Sequence, residues 1–279
     1  MNENKTDTHG SLPELVGTNF GTLWTQSLAD SMVSMREAGF AKAEVVLCSP
    51  ICEFDDVGRT VAALLEASEF SGVSIVSLNT VELNLISPIE LQRKATIAQL
   101  THLLEAAQRI GVETVVTVPG RKNVLSPMPD ERALPLFRDS LRQLIPVAER
   151  TGVRIALENA PFGFLESPSV LMEEAFALSD AAFASVIDAA NLYFSELDFR
   201  TEVNAVAPVL RLAHVSDTDR VRFRHDYLHE GGVNFSDFAS ALTDSGYRGP
   251  AVYELVTPGV DWNRVERDLR ELRSTGKWA

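Results

Sequence analysis

The sequence has only two cysteines, Cys48 and Cys52, both in "CSPIC". Their spacing is neither that of a zinc knuckle nor that of the redox C-x-x-C pair, which excludes a disulfide framework or a thiolate zinc site as the organising feature. We read them as two reduced structural thiols. Long hydrophobic runs are lacking as well. No stretch of about 18 apolar residues occurs, so no membrane-spanning helix and no membrane partner are expected. The opening "MNENKTDTHG" is polar and has no apolar segment of the kind a secretory leader needs. A cytoplasmic protein is expected, with residues 1–12 as a disordered tail. Positive charge is also in short supply, because 25 basic against 39 acidic residues leave a net charge of −14. That mean field repels a phosphate backbone and counts against nucleic acid as a partner. Finally, neither G-x-G-x-x-G nor G-x-x-x-x-G-K-[ST] follows any strand-like run, so a doubly wound nucleotide-binding sheet loses its main support.

What the chain does have is a repeated phrase: a helix-period segment, a glycine, then a short run of branched residues. It appears as "REAGFAKAEVVL", "FSGVSIVSL", "RIGVETVVTV", "RTGVRIALEN" and "DSGYRGPAVYEL". Glycine just past a helix closes the last turn in the left-handed conformation, and the residues after it suit a buried strand. Gly39, Gly72, Gly111, Gly152 and Gly246 therefore mark helix-to-strand joints. The first four recur at the length of one βα unit. Extending the pattern gives eight strands: "LVGTNF", "AEVVL", "VSIVSLN", "TVVTV", "RIALEN", "ASVID", "LAHVS" and "AVYEL". Between them, Ser87, Pro88 and Glu90 read as a capping box, and Ser167 with Pro168 as a similar helix start. Mostly apolar strands alternating with amphipathic helices imply a parallel sheet covered on its faces. Eight such units in 279 residues make one (β/α)8 TIM barrel, and residues 1–279 are taken as a single domain.

The ends of the later strands carry the chemistry. "RIALEN" ends on Glu158, "ASVID" on Asp188, "LAHVS" carries His214 and "AVYEL" carries Glu254. Any one of these alone reads as a salt-bridge partner or a hydrogen-bonded core residue. Together they are four ligand-type residues at one register on four neighbouring strands. A barrel gathers its C-terminal strand ends on the face that bears active sites. Three carboxylates at one mouth repel each other unless a cation holds them. This oxygen-rich set with one imidazole suits one divalent metal ion, Mn, Mg or Co, and less selectively Zn.

These residues and motifs resemble the xylose isomerase-like barrel superfamily, which includes sugar phosphate isomerases and epimerases, ketose 3-epimerases and, more distantly, zinc-dependent apurinic endonucleases. "AGFAKAEVVL" is similar to the family's early "aGfdgvEl", and the resemblance runs to "VYELV". It places the metal ligands on Glu158, Asp188, His214 and Glu254, and gives Glu158 and Glu254 a second role as acid and base. "HVSDTDR" is similar to H-x-x-D-x-x-R, which implies that Asp217 supports the site and Arg220 contacts substrate oxygens. "LHEGGVNF" resembles "iGeGdidf", with His229 in place of the first glycine. One departure is clear: the family's D-x-x-H becomes "DAAN", so Asn191 stands where a substrate-binding histidine is usual. An amide donates and accepts hydrogen bonds but is no acid or base near neutral pH.

The resemblance implies a metal-dependent isomerase or epimerase acting on a small sugar-like substrate. The metal chelates an α-hydroxy carbonyl and favours loss of the adjacent proton by stabilising the enediolate. Returning that proton to the opposite face gives epimerisation, and returning it to the neighbouring carbon gives isomerisation. Loss of a β-hydroxyl instead gives a dehydratase, the alternative from the same superfamily. A zinc endonuclease is disfavoured, because the ends of strands two to four offer no histidines and "RFRHDYLH", with His225, Asp226 and His229, supplies only part of the set. A noncatalytic sugar-binding barrel is disfavoured by the intact ligand set. A homodimer or homotetramer is expected, with Trp278 near the end of the chain read as exposed and available for packing on a neighbour.

Overall fold

The structure is a computed structural model that describes residues 12–48, 56–80, 83–161, 163–257 and 259–279. The expected tail up to residue 11, and Cys52, lie outside the described residues. Eight strands are present: β1 Glu14–Thr18, β2 Lys42–Leu47, β3 Ser74–Thr80, β4 Thr114–Thr117, β5 Arg154–Glu158, β6 Phe183–Asp188, β7 Leu210–Val215 and β8 Pro250–Tyr253. All eight pair in parallel, each with its chain neighbours, and β8 closes on β1. This is a single closed (β/α)8 barrel.

The helices that link the strands are α1 Leu28–Ala38, α2 Val57–Ser71, α3 Glu90–Ile110, α4 Asp130–Thr151 and α5 Pro168–Phe176. Next come the short α6 Ala189–Phe194, then α7 Phe199–Val206, α8 Phe235–Asp244 and α9 Trp262–Ser274. Gly39, Gly72, Gly111 and Gly152 are C-caps in the left-handed conformation, with φ between 70° and 103°. They end four helices directly in front of the next strand, as the sequence implies. Helix starts differ in detail. α3 begins at Glu90 with Ile89 as its N-cap, and the Ser87 hydroxyl donates to Gln92 Oε1 at 2.6 Å instead of closing a capping box. Ser167 precedes Pro168 at the first turn of α5, but its hydroxyl meets Ser169 and Glu202 instead of the helix backbone.

Strand alternation sorts the core. On β5, Ile155 and Leu157 face the helix layer, while Ala156 packs inside the barrel with Val16, Val116, Ala184, Val186, Leu212 and Val252. With a period of two, the next inward residue after Ala156 is Glu158. By the same count Asp188 follows Val186, His214 follows Leu212 and Glu254 follows Val252. The barrel interior is thus apolar up to one level and ionisable above it. Trp278 is buried, contrary to the exposure expected from its place in the sequence, because the last residues return to the barrel. Ala279 exchanges backbone hydrogen bonds with Pro13 and Leu15 beside β1.

The seam between β1 and β2 is short, with register partners only at Gly17–Ala43 and Thr18–Glu44. Asn19 extends it with its side chain. Its Nδ2 donates to Val46 O at 3.0 Å, and its Oδ1 accepts from Val46 N at 2.7 Å. Both atoms of Val46 are buried, so losing the amide leaves a donor and an acceptor unpaired. Asn19→Ala is expected to destabilise the fold by about 2–4 kcal/mol, measured as a lower urea midpoint. A loss well under about 1 kcal/mol would show that the seam does not depend on this side chain.

Candidate metal centre

Glu158, Asp188, His214 and Glu254 present one potential ligand atom each, and these four atoms lie within 4.8 Å of one another. All four residues are buried, none above 6% exposed. The ordinary rules for buried charge are not met inside this group. Asp188 Oδ2 and both ring nitrogens of His214 find no hydrogen-bond partner among the described residues. His214 Nδ1 stands 3.2 Å from Glu158 Oε1 and 3.5 Å from Glu254 Oε2, close enough for charge but misaligned for hydrogen bonding. One imidazole and three carboxylates that converge, with Asp188 Oδ2 and the imidazole nitrogens unsatisfied, fit a hard to borderline divalent cation.

Surrounding groups fix the orientation. Glu44, in the middle of β2, brings Oε1 to 3.3 Å from His214 Nε2, the ring nitrogen that faces away from the cluster. Its carboxylate is held by Ser77 Oγ and Asn79 Nδ2, each at 2.8 Å. A carboxylate behind a ligating imidazole sets the ring's tautomer and angle. Asn159 follows β5 and accepts from the Asp188 backbone N at 3.0 Å. Neither Glu44 nor Asn159 is evident as a site residue from the sequence, although a glutamate inside the otherwise apolar "AEVVL" is a usable signal.

His225, on the β7–α8 loop, is a further partner that strand-end reasoning misses. Its Nδ1 lies 3.1 Å from Glu254 Oε2, 2.9 Å from Ser216 Oγ and 3.9 Å from Asp188 Oδ2. The remaining expected residues separate into two groups. Asn191 is at the site: its Nδ2 donates to Asn159 O at 2.6 Å and to Glu158 Oε1 at 3.3 Å, while its buried Oδ1 has no partner. Asp217 instead organises the loop, its Oδ1 accepting from the backbone N of Thr218 and Val233. Arg220 stands away from the cluster, 4.5 Å from the Tyr193 ring and 3.5 Å from Glu196, with its side chain half exposed. The turn made by Asp219, which accepts from the N–H groups of Val221 and Arg222 at 2.6 Å, follows directly and places Arg220 on the outside of the loop.

This loop is tightly built. A Cβ on Gly231 would stand 2.1 Å from the Thr218 carbonyl oxygen, a contact with backbone that no small shift relieves. His229, which replaces a glycine of the resembling motif, has φ of 68°, a conformation glycine adopts without strain. A cavity at the cluster has a volume of about 280 Å3, and its lining includes Glu158, Asn191, His225 and Glu254 together with Arg121 and Lys122.

Crowding shifts the ionisation of the metal-free group. Burial pushes the Glu158 carboxyl up, although His214 pulls it down. Burial also pushes Asp188 up to about 7, against the pull of His225. For His214, burial opposes the charge, but Glu158, Glu44 and Glu254 outweigh it and raise its pKa well above the ordinary value. His225 is likewise raised to about 9, with Glu254 and Asp188 overcoming burial. Glu254 is the exception: burial raises it, but the two imidazoles outweigh burial and hold it below the carboxylate range. Without a cation, protons carry the compensating charge.

A closed (β/α)8 barrel with a buried carboxylate and imidazole cluster at the C-terminal ends of its strands defines the class of protein to which the chain is compared. The pattern that defines the xylose isomerase-like TIM barrel family matches residues 34–275, and the chain belongs to that family. Its relatives include sugar epimerases. The L-ribulose-5-phosphate 3-epimerase UlaE of Salmonella paratyphi C (strain RKS4594) is 28% identical over 167 residues, 60% of this chain and 55% of that protein. The chain therefore matches about half the length of these curated relatives. A D-tagatose 3-epimerase-like protein shares the fold with a TM-score of 0.77 at 22% identity, over 95% of this chain and 98% of its own. The IOLI protein, whose crystal structure contains a zinc atom, does so with a TM-score of 0.73 at 18% identity, over 94% and 96%.

The protonated cluster has a measurable signature. Asp188 rises from 3.8 to about 7 on folding and His225 from 6.5 to about 9. Stability from a raised group is complete below its unfolded pKa and lost as pH climbs through the folded one. The thermal midpoint of metal-free protein should therefore fall between about pH 5 and pH 9, and the rise produced by saturating Mn2+ should grow over the same range. Asp188→Asn should flatten the metal-free profile below pH 7. A metal-free midpoint that climbs with pH across this window would contradict the proton-held cluster.

Proposed function

We propose that the protein is a divalent-metal-dependent sugar epimerase or isomerase that moves a proton at the carbon next to a carbonyl, with epimerisation of a ketose as its main reaction. The observation that carries this reading is the placement of Glu158 and Glu254. They come from β5 and β8, three strands apart around the ring, yet both approach His214 Nδ1 within 3.5 Å. Two carboxylates that flank one bound carbon can act on its two faces.

Glu158, Asp188, His214 and Glu254 would hold the ion, with Mn, Mg, Co or Zn compatible with the donor set. When bound, the ion supplies a Lewis acid that polarises an α-hydroxy carbonyl and stabilises the negative charge left by deprotonation. The chain's own residues do the rest. One glutamate takes the proton from carbon and the other delivers a proton to the opposite face, so the configuration inverts without net redox change. The unpartnered Asn191 Oδ1 accepts a substrate hydroxyl, a role an amide fills without titrating. Phe223 and Val256 add apolar surface to the cavity lining.

The test is solvent deuterium incorporation into a panel of ketoses, inososes and keto acids, read by NMR with Mn2+ and with a chelator. Metal-dependent exchange beside the carbonyl, with an epimer as product, is expected. Glu158→Gln and Glu254→Gln should each reduce turnover by about 10^2–10^4-fold, with metal content measured alongside to separate lost chemistry from lost ligation. Protein that holds stoichiometric metal but exchanges no substrate proton would sink the proposal.

A further inference from the structure

His225 stands at the cluster without being one of its four ligand-type residues. It lies on the β7–α8 loop and lines the same cavity as Glu158, Asn191 and Glu254. The backbone around it is pinned on two sides. Asp217 and Asp226 exchange backbone hydrogen bonds, N to O at 2.9 Å and 2.8 Å, in an antiparallel bridge that fixes the residue directly after His225. The His225 carbonyl accepts from Val256 N at 3.2 Å, which ties the loop to the segment leaving β8 just past Glu254. The ring rests against Phe223, with 5.0 Å between ring centres at an interplanar angle of 80°, and Phe223 rests against Phe194. An imidazole held in this way presents its two nitrogens in set directions.

Those two nitrogens differ. Nδ1 is taken up inside the protein, by Ser216 Oγ at 2.9 Å and Glu254 Oε2 at 3.1 Å. Nε2 has no partner among the described residues, and the side chain is 11% exposed. The Glu158 side of the cluster has the same form. Asn191 spends Nδ2 on Asn159 O and Glu158 Oε1, while its buried Oδ1 is unpartnered. Each of the two glutamates is thus flanked by a side chain that uses one polar end on the protein and keeps the other free. Free polar ends on both flanks of a reacting centre match a ligand that carries hydroxyls on successive carbons.

From this arrangement we infer that His225 contacts the substrate, holding a hydroxyl of the bound sugar through Nε2 on the Glu254 side while Nδ1 stays clamped. The inference rests on the epimerase reading above and adds a specificity-determining contact to it. The contact does not depend on the charge of the ring, because a hydroxyl donates to a bare nitrogen and accepts from an N–H. An analogue that lacks this hydroxyl leaves Nε2 unpaired and is discriminated against for that reason. Asn191 on one flank and His225 on the other then orient the carbon that lies between Glu158 and Glu254.

The experiment follows deuterium exchange of D-fructose, D-tagatose and D-ribulose by Mn2+-loaded protein and by its His225→Asn and His225→Gln variants, with bound metal and thermal midpoint measured for each. The asparagine amide reaches only the Nδ1 position and the glutamine amide only the Nε2 position, so the pair separates the two nitrogens. His225→Asn should lower kcat/KM by about 10- to 100-fold. The loss should fall on KM, because a contact made equally in the ground and transition states acts there. His225→Gln should recover most of it. The opposite order of the two variants, a loss confined to kcat in both, or loss of bound metal in both would show that the ring acts only through Glu254, and would overturn the inference while the epimerase reading stands. Unchanged kinetics in both variants would overturn it as well. No exchange of any of the three ketoses by the metal-loaded unsubstituted chain would overturn both.

Discussion

The structure depends on one electrostatic constraint: three carboxylates and an imidazole share a buried space less than 5 Å across at the mouth of the barrel, with ligand atoms within 4.8 Å of one another. Like charges at that distance in a poorly solvated site cannot all ionise without a counter-charge. Much of the local design follows from supplying and aiming that counter-charge. Glu44 stands behind His214, Ser77 and Asn79 stand behind Glu44, and Asn159 ties β5 to β6 at Asp188. Each link fixes one side chain of the cluster relative to the next, so the cluster is organised by the protein itself. Such preorganisation lets a site stabilise developing charge without first rearranging.

The apolar barrel interior contributes by setting the level at which ionisable groups can appear. Val16, Val116, Ala156, Ala184, Val186, Leu212 and Val252 fill the space below the cluster. The βα loops surround the mouth above them. Those loops differ in how they are built. The segment after β7 is locked by Asp217 and by the close packing of Gly231 on Thr218, while the segment after β4 is locked through Asn84. One presents His225 to the cluster, and the other places Arg121 and Lys122 in the cavity lining.

The architecture was legible in the sequence because both of its signals are local. A glycine that ends a helix and a branched run that follows it can be read within about ten residues, and the strict alternation of units leaves a closed parallel barrel as the natural solution. The four strand-end residues were legible for a related reason: once strands are placed, a period of two determines which side chains face inward. Glu44 escaped because it sits in mid-strand, where a single charge looks like an accident until Ser77 and Asn79 on the neighbouring strand are seen to hold it. His225 escaped because a loop has no period, and only the folded path of residues 216–234 brings it beside Glu254. The same lack of periodicity explains Arg220, whose motif spacing suggested a substrate contact while the turn at Asp219 faces it toward Tyr193 and Glu196. Ser87 and Trp278 show a further limit. Capping and burial depend on where a chain turns next, and residues two or three positions away decide that.

Asn19 gives the barrel an unusual kind of dependence. Along most of the ladder, closure rests on peptide groups, which every residue type other than proline supplies in full, so the sequence of a strand can change while its pairing persists. At the β1–β2 seam the pairing with Val46 passes through a side-chain amide instead. That part of the seam therefore depends on the identity of one residue as well as on backbone geometry. A short, glycine-containing first strand that looks weak by propensity can thus be among the least replaceable parts of the chain.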